Sequence, residues 1–267
     1  MNINSIAAFN VPVFAGDFRR KKNNYLLNKA PEADFFAHSL PHLNPAYHNN
    51  LIYAIDDEFL ASIFPSELVK KYTNPNFLKI VDDVNPNIST KLSQVGVPLK
   101  IYGENITSEI RPHFLSTLKA AFAIMKNMQY RFSIEEYSIM GQAALLHDIG
   151  KIYIPDYILN KKGKLDTQER KIVDTHAELG YEILRTTYAN ADILPLVKGH
   201  HTYSTANPIL LQILEVSDIW SALKEKRPYK RIFSDSESLK ILYERANNGD
   251  FDKSVVDSLA RAIKIKL

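Results

Sequence analysis

Eight histidines and no cysteine set the chemistry open to this chain of 267 residues. Three of them, His38, His42 and His48, stand in the proline-broken run HSLPHLNPAYHNN and read as surface loop residues. The other five, His113, His147, His176, His200 and His201, each fall in or beside a segment with helical periodicity. With them come Asp148, the neighbour of His147, and Asp218. A lone histidine on a helix face is more often a satisfied core or surface residue than a ligand, so no single one carries weight. Together they form a nitrogen and oxygen ligand set without thiolate. Such a set suits two neighbouring first-row divalent ions and excludes zinc fingers, iron–sulfur clusters and thiol catalysis.

Residues so far apart in sequence can meet only if helices carry them inward. Ser133 with Glu136 three positions on makes a capping box, and the helix it opens puts Tyr137, Met140, Ala144 and His147 on one face before Gly150 stops it. Asp166 and Glu169 repeat the pattern, and the following helix aligns Ile172, His176, Leu179 and Ile183. Asn207 and Pro208 start a third helix, on which Leu211, Leu214, Asp218 and Ala222 share a stripe. Two histidines and one carboxylate thus lie in line with buried aliphatic positions. A charge there is costly unless something compensates it.

The texture of the chain changes near its middle. Up to about Tyr102, runs such as HSLPHLNPAYHNN, TNPNF and VDDVNPN break any long helical period. From about Glu104, long amphipathic windows alternate with brief Gly- or Pro-marked turns. The boundary falls between Val97 and Glu104, dividing the chain into residues 1–103, a small mixed or irregular domain, and 104–267, a mainly α, helical domain. The amino-terminal domain's role, regulatory or as a contact for a protein partner, stays open. The balance of 33 basic and 30 acidic residues, net +3, implies neither a nucleic-acid nor a membrane partner. No apolar run is long enough to cross a bilayer, and the start, MNINSIAAFNVPVFAGDFRRKK, carries its charges after its apolar part, so a soluble cytoplasmic protein is expected. A Gly-rich phosphate loop, a GxSxG turn and a basic stripe interleaved with aromatics are all absent from the sequence.

The run ALLHDIGKIYIPDYILNKKGKLDTQERKIVDTHAELGYEIL, from Ala144 to Leu184, resembles the heart of an HD-GYP phosphodiesterase domain. It has the HDxGK signature as HDIGK, the IPDxIL and KxGxL turns, and a histidine 29 residues after the first. His200 and His201 resemble the family's paired histidines, and LEVSDIWSALKEKRPYKR resembles the segment with its last metal aspartate and RPY motif. His113, 34 residues before His147, is close to the spacing of the family's first ligand. The resemblance covers about Glu109 to Arg231.

It implies an HD-type helical bundle that hydrolyses a cyclic dinucleotide, most readily cyclic di-GMP, to the linear dinucleotide or GMP. Asp148 would bridge two divalent ions, iron or manganese, with His113, His147, His176, His200, His201 and Asp218 filling the remaining protein positions. Glu109 matches the extra carboxylate of members that hold three metals; because proline is tolerated in a helix's first turn, Pro112 puts Glu109 near the cap. Lys151 matches the lysine that contacts substrate phosphate, and Arg227 and Lys230 match basic positions that hold the dinucleotide's phosphates. Lys161, Lys162 and Lys164 read instead as a solvated loop.

After the paired histidines the family runs through a DGxGYP segment, whereas this chain reads HHTYSTANPILL, with Asp218 only 17 residues beyond His201 and no GYP motif. The ligands survive the shortening, but one wall of the pocket does not. Two alternatives therefore stand beside the leading reading: an HD-type phosphohydrolase acting on another nucleotide or phosphate ester, and a noncatalytic, metal-stabilised cyclic-dinucleotide sensor or interaction module.

Overall fold

The computed structural model describes residues 85–100, 102, 106–187, 191–225 and 231–263, the backbone alone for 106–111, 134 and 187. His38, His42, His48, the side chain of Glu109, and Arg227 and Lys230 lie outside the described residues. Every regular element among those residues is helical: α1 (Asn87–Gln94), α2 (Ile106–Asn127), α3 (Ile134–Leu146), α4 (Asp156–Leu159), α5 (Thr167–Asp174), α6 (His176–Thr187), α7 (Leu194–Gly199), α8 (Ile209–Lys224), α9 (Asp235–Asn247) and α10 (Lys253–Ala262). Short 3-10 segments, Ile149–Tyr153 and Ala191–Ile193, join α3 to α4 and lead into α7. No helix among the described residues is long and apolar enough to cross a membrane.

At the centre α8 packs against α2, with α3, α7, α9 and α10 also against it. A helix enclosed on so many sides buries more than one face, and Leu211, Ile213, Leu214, Val216 and Trp220 are all buried, as are the polar Gln212, Glu215, Ser217, Asp218 and Ser221. Facing it, α2 contributes Phe114, Leu118, Ala121, Phe122 and Met125. Each large aliphatic or aromatic side chain so buried stabilises the bundle by about 1.5–3 kcal/mol. The core also takes in residues ahead of the boundary expected near Val97 to Glu104. Ile88 and Leu92 of α1 are fully buried in it, and Asn85 donates to Glu182 Oε2 of α6 at 2.6 Å.

Both expected capping boxes form, Ser133 with Glu136 and Asp166 with Glu169, and Ser234 with Glu237 adds a third at α9. Elsewhere the local expectations needed correction. The helix from Ser133 stops at Leu146, ahead of Gly150, and the chain tightens into the 3-10 segment. The helix expected to run through Ile172 and Ile183 breaks at Thr175, whose hydroxyl donates to the Ile172 carbonyl at 2.7 Å. Its backbone N–H reaches the Ile172 and Val173 carbonyls, so the chain turns and His176 opens a new helix. Asn207 does not cap α8; Pro208 precedes the helix, and the Asn207 amide donates to Glu215 Oε1 at 3.1 Å instead. Pro112 lies inside α2, which begins at Ile106, so Glu109 belongs to the helix and not to its cap. The proline leaves the carbonyl four residues earlier without its helical N–H.

Gly150 is required by close approach. A Cβ there would meet the His176 carbonyl oxygen at 2.0 Å and the Gly180 nitrogen at 2.6 Å, both backbone atoms with no rotamer to give way. The 3-10 segment can lie against the start of α6 only without a side chain at this position. Gly150→Ala is expected to cost at least about 1–3 kcal/mol, as overpacking does, and to lower the melting midpoint by roughly 2–12 °C. A calorimetric midpoint equal to that of the wild type would show that the approach has slack.

Candidate metal centre

Three helix ends and two helix interiors deliver the chemistry-bearing side chains. His147 caps the carboxyl end of α3 and Asp148 follows it; His176 is the first residue of α6; His200 caps α7 and His201 follows it. His113 projects from α2 and Asp218 from α8, the pair of helices that pack at the core. All but His201 are buried, with His147 and His200 fully so.

The seven side chains converge as two groups on either side of the Asp148 carboxylate. Its Oδ2 faces His147 Nε2 at 3.4 Å and His113 Nε2 at 3.7 Å, while Asp218 Oδ1 lies 3.0 Å from His113 Nε2 and 3.8 Å from His147 Nε2. Its other oxygen, Oδ1, faces His176 Nε2 at 3.2 Å and His200 Nε2 at 3.8 Å. His176 Nε2 lies 3.1 Å from His200 Nε2 and 3.2 Å from His201 Nε2. One carboxylate thus looks both ways, each oxygen towards a different set of imidazoles.

The tautomers follow from the opposite edges of the rings. His147 Nδ1 lies 3.0 Å from the Ala144 carbonyl, His176 Nδ1 2.5 Å from Val173 and His200 Nδ1 2.7 Å from Val197. A carbonyl can only accept, so in each case Nδ1 carries the hydrogen and, in the neutral ring, Nε2 carries a lone pair. Each bond also satisfies a carbonyl left over at the end of α3, α5 or α7. The same hydrogen bond therefore ends a helix and aims a nitrogen. His113 Nδ1 is held by Glu225 Oε1 at 2.6 Å, and His201 Nδ1 by the Tyr203 hydroxyl at 2.7 Å.

Lone pairs aimed at one another from 3.1–3.2 Å repel unless a proton or a cation lies between them, and His147 Nε2 is buried with no hydrogen-bond partner. Two buried carboxylates beside them add negative charge. Divalent cations would resolve both problems, and a thiolate-free donor set of five imidazoles and two carboxylates fits them.

The protonation pattern of the cation-free centre divides along the same line. Burial drives the His200 imidazole well below its usual range, helped by the surrounding imidazoles, and burial with His176 brings His201 down to about 4. In the other group, burial opposes protonation, but Asp148 and Asp218 outweigh it and lift His147 to about 10; Asp218 and Glu225 likewise raise His113. Burial works against both carboxylates. Lys151 and His147 nonetheless hold Asp148 well below the carboxylate range, and His113 and His147 do the same for Asp218.

Lys151 reaches Asp148 Oδ2 at 2.5 Å and keeps 23% of its side chain exposed, so its ammonium stands at the edge of the centre with access to solvent. Three residues bearing on the site were not singled out by the sequence. Glu225, seven positions after Asp218, is the extended residue that ends α8, and it carried no spacing signal. Tyr203 and Glu215 carried none, because their roles depend on how the loop after His201 folds back over α8.

A family model described as HD domain matches residues 104–255. A cyclic di-GMP phosphodiesterase response regulator of Xanthomonas campestris pv. campestris is 34% identical over 146 residues, covering 50% of this chain and 38% of that protein. A cyclic di-GMP phosphodiesterase of Thermotoga maritima is 37% identical over 103 residues, 33% of this chain and 27% of that protein. A 3'3'-cGAMP-specific phosphodiesterase of Vibrio cholerae is 33% identical over 123 residues, 40% of this chain and 23% of that protein. The chain thus spans well under half the length of these relatives.

Proposed function

This chain belongs to the HD domain family, and on that premise we propose that it is a metal-dependent phosphodiesterase of a cyclic dinucleotide, cyclic di-GMP first among them. The observation that carries the reading is the two-sided Asp148 carboxylate, with Oδ2 towards His113, His147 and the nearby Asp218, and Oδ1 towards His176 and His200, with His201 beside His176. In this reading each group would hold one divalent cation, with Asp148 as the carboxylate common to both groups, and iron or manganese would suit the nitrogen and oxygen donors. A third ion would require Glu109, and Arg227 and Lys230 would hold substrate phosphates.

Bound cations would supply a nucleophile at neutral pH and neutralise charge on the phosphoryl oxygens. The chain's own residues do the rest. The fixed Nδ1 partners keep every Nε2 aimed without reorganisation, which is the preorganisation such chemistry requires. Lys151, partly exposed beside Asp148, is the catalytic cation available to a phosphate arriving from outside. The relatives' names, as cyclic di-GMP and 3'3'-cGAMP phosphodiesterases, support the substrate class. The absence of cysteine supports a reducing, cytoplasmic setting.

The test is an anaerobic preparation loaded with Mn²⁺ or Fe²⁺ and offered cyclic di-GMP, 3'3'-cGAMP and a panel of mononucleotides. Release of linear dinucleotide or GMP, stopped by a chelator, is the expected result. Phosphate release from mononucleotides alone would turn the reading towards another HD-type phosphohydrolase. Tight binding of a cyclic dinucleotide without turnover would turn it towards a sensor.

A further inference from the structure

The loop after the paired histidines has its own architecture. Thr202 turns back on Gly199, its N–H and its hydroxyl each donating to that carbonyl at 2.8 Å. Tyr203 follows with φ +40°, the one non-glycine residue among those described in the left-handed region, a conformation that persists only when its surroundings enforce it.

Three contacts enforce it. The Tyr203 N–H donates to Glu215 Oε1 at 2.9 Å; that oxygen is also reached by the Asn207 amide at 3.1 Å. The Arg245 guanidinium lies 4.2 Å from the centre of the Tyr203 ring. The hydroxyl meets His201 Nδ1 at 2.7 Å. Glu215 is fully buried on α8, and its second oxygen, Oε2, has no hydrogen-bond partner. A carboxylate in that position is expensive, and the hydrogen bonds it accepts, from the Tyr203 N–H and the Asn207 amide, both come from the loop.

His201 differs from its neighbours in needing such a device. His147, His176 and His200 use main-chain carbonyls that come with the helix ends, whereas His201 is exposed and uses a side chain two residues ahead. We propose that Tyr203 is a positioning residue for the His176, His200 and His201 half of the centre: its hydroxyl aims His201, and buried Glu215 holds Tyr203 in the backbone conformation that allows it. The proposal rests on the two-cation reading above. It gives the loop between His201 and α8 a function in holding metal.

The test is a Mn²⁺ titration of the full chain, with free ion followed by its electron paramagnetic resonance signal, alongside the melting midpoint of each metal-free protein. Wild type should take up two equivalents. Y203F, which keeps the ring under Arg245 and the backbone bond to Glu215, should weaken one equivalent by about 10–100-fold and leave the other unchanged, the usual effect of losing a partner that orients a ligand. E215A should weaken the same equivalent, and E215Q, which retains an oxygen acceptor for the Tyr203 N–H, should restore it. Unchanged affinities in Y203F, or a loss of both equivalents in step with a falling melting midpoint, would overturn the positioning role alone. A wild type that takes up fewer than two equivalents would overturn the two-cation reading and this proposal with it.

Discussion

Asp148→Ala protein is expected to bind neither equivalent of Mn²⁺ tightly and to hydrolyse cyclic di-GMP at least about 10³-fold more slowly than wild type. The expectation follows from geometry. Every other candidate ligand serves one group, whereas the two oxygens of Asp148 face different groups, at 3.2 Å from His176 on one side and 3.4 Å from His147 on the other. Removing it deprives both positions of their shared anion and leaves two clusters of imidazoles with less charge to hold a dication. His147→Ala and His201→Ala supply the contrast, since each should weaken one equivalent and spare the other. Asp148→Asn, nearly isosteric, separates loss of charge from loss of packing at a site that is 2% exposed. Metal analysis and turnover measured on the same preparations check the result. If Asp148→Ala retained two tightly bound ions, the bridging role would be abandoned.

Metal uptake is expected to release protons, with His147 as their source. With no cation present His147 sits at about 10, so its ring is protonated at neutral pH, and Asp218 and Glu225 shift His113 in the same direction. A cation needs the lone pair on Nε2, so loading this half must expel at least the His147 proton. Its apparent affinity should then rise with pH by at least about 10-fold per unit through the neutral range. His200 is held well below its usual range and His201 is at about 4, so those rings are already neutral. Those two rings should therefore release no protons on loading between about pH 6 and 8. Calorimetric titration with Mn²⁺ in buffers of different ionisation enthalpy counts the protons directly. Each ion bound at 100 times its dissociation constant should also stabilise the fold by about 2.7 kcal/mol, a gain that a chelator reverses. Loading of both positions without any proton release would contradict the protonated His147.

Much of the centre was legible because its signals are local. Ser133 with Glu136 and Asp166 with Glu169 needed only three residues of separation to mark helix starts, and the structure bears out both boxes. The break at Thr175 was hidden, because the spacing of Ile172, His176 and Leu179 suits one continuous helix as well as two. What decides it is a single threonine hydroxyl bonding back to Ile172, one of several conformations open to that residue. Gly150 looked like a helix stop and proved to be a contact point; nothing nearby in sequence says that the His176 carbonyl will lie where its Cβ would be.

By itself, then, the sequence determined the candidate ligand types, the helical class and the boundaries that caps enforce, because these follow from residue types and from donors and acceptors within a turn or two of each other. The tertiary structure alone decided that Asp148 divides the imidazoles into two groups, that Glu225, just past the end of α8, reaches His113 on α2, and that Glu215 holds Tyr203 against His201. Those contacts arise where buried helices cross, and a crossing is set by how whole side-chain surfaces interlock, which no short stretch of chain encodes.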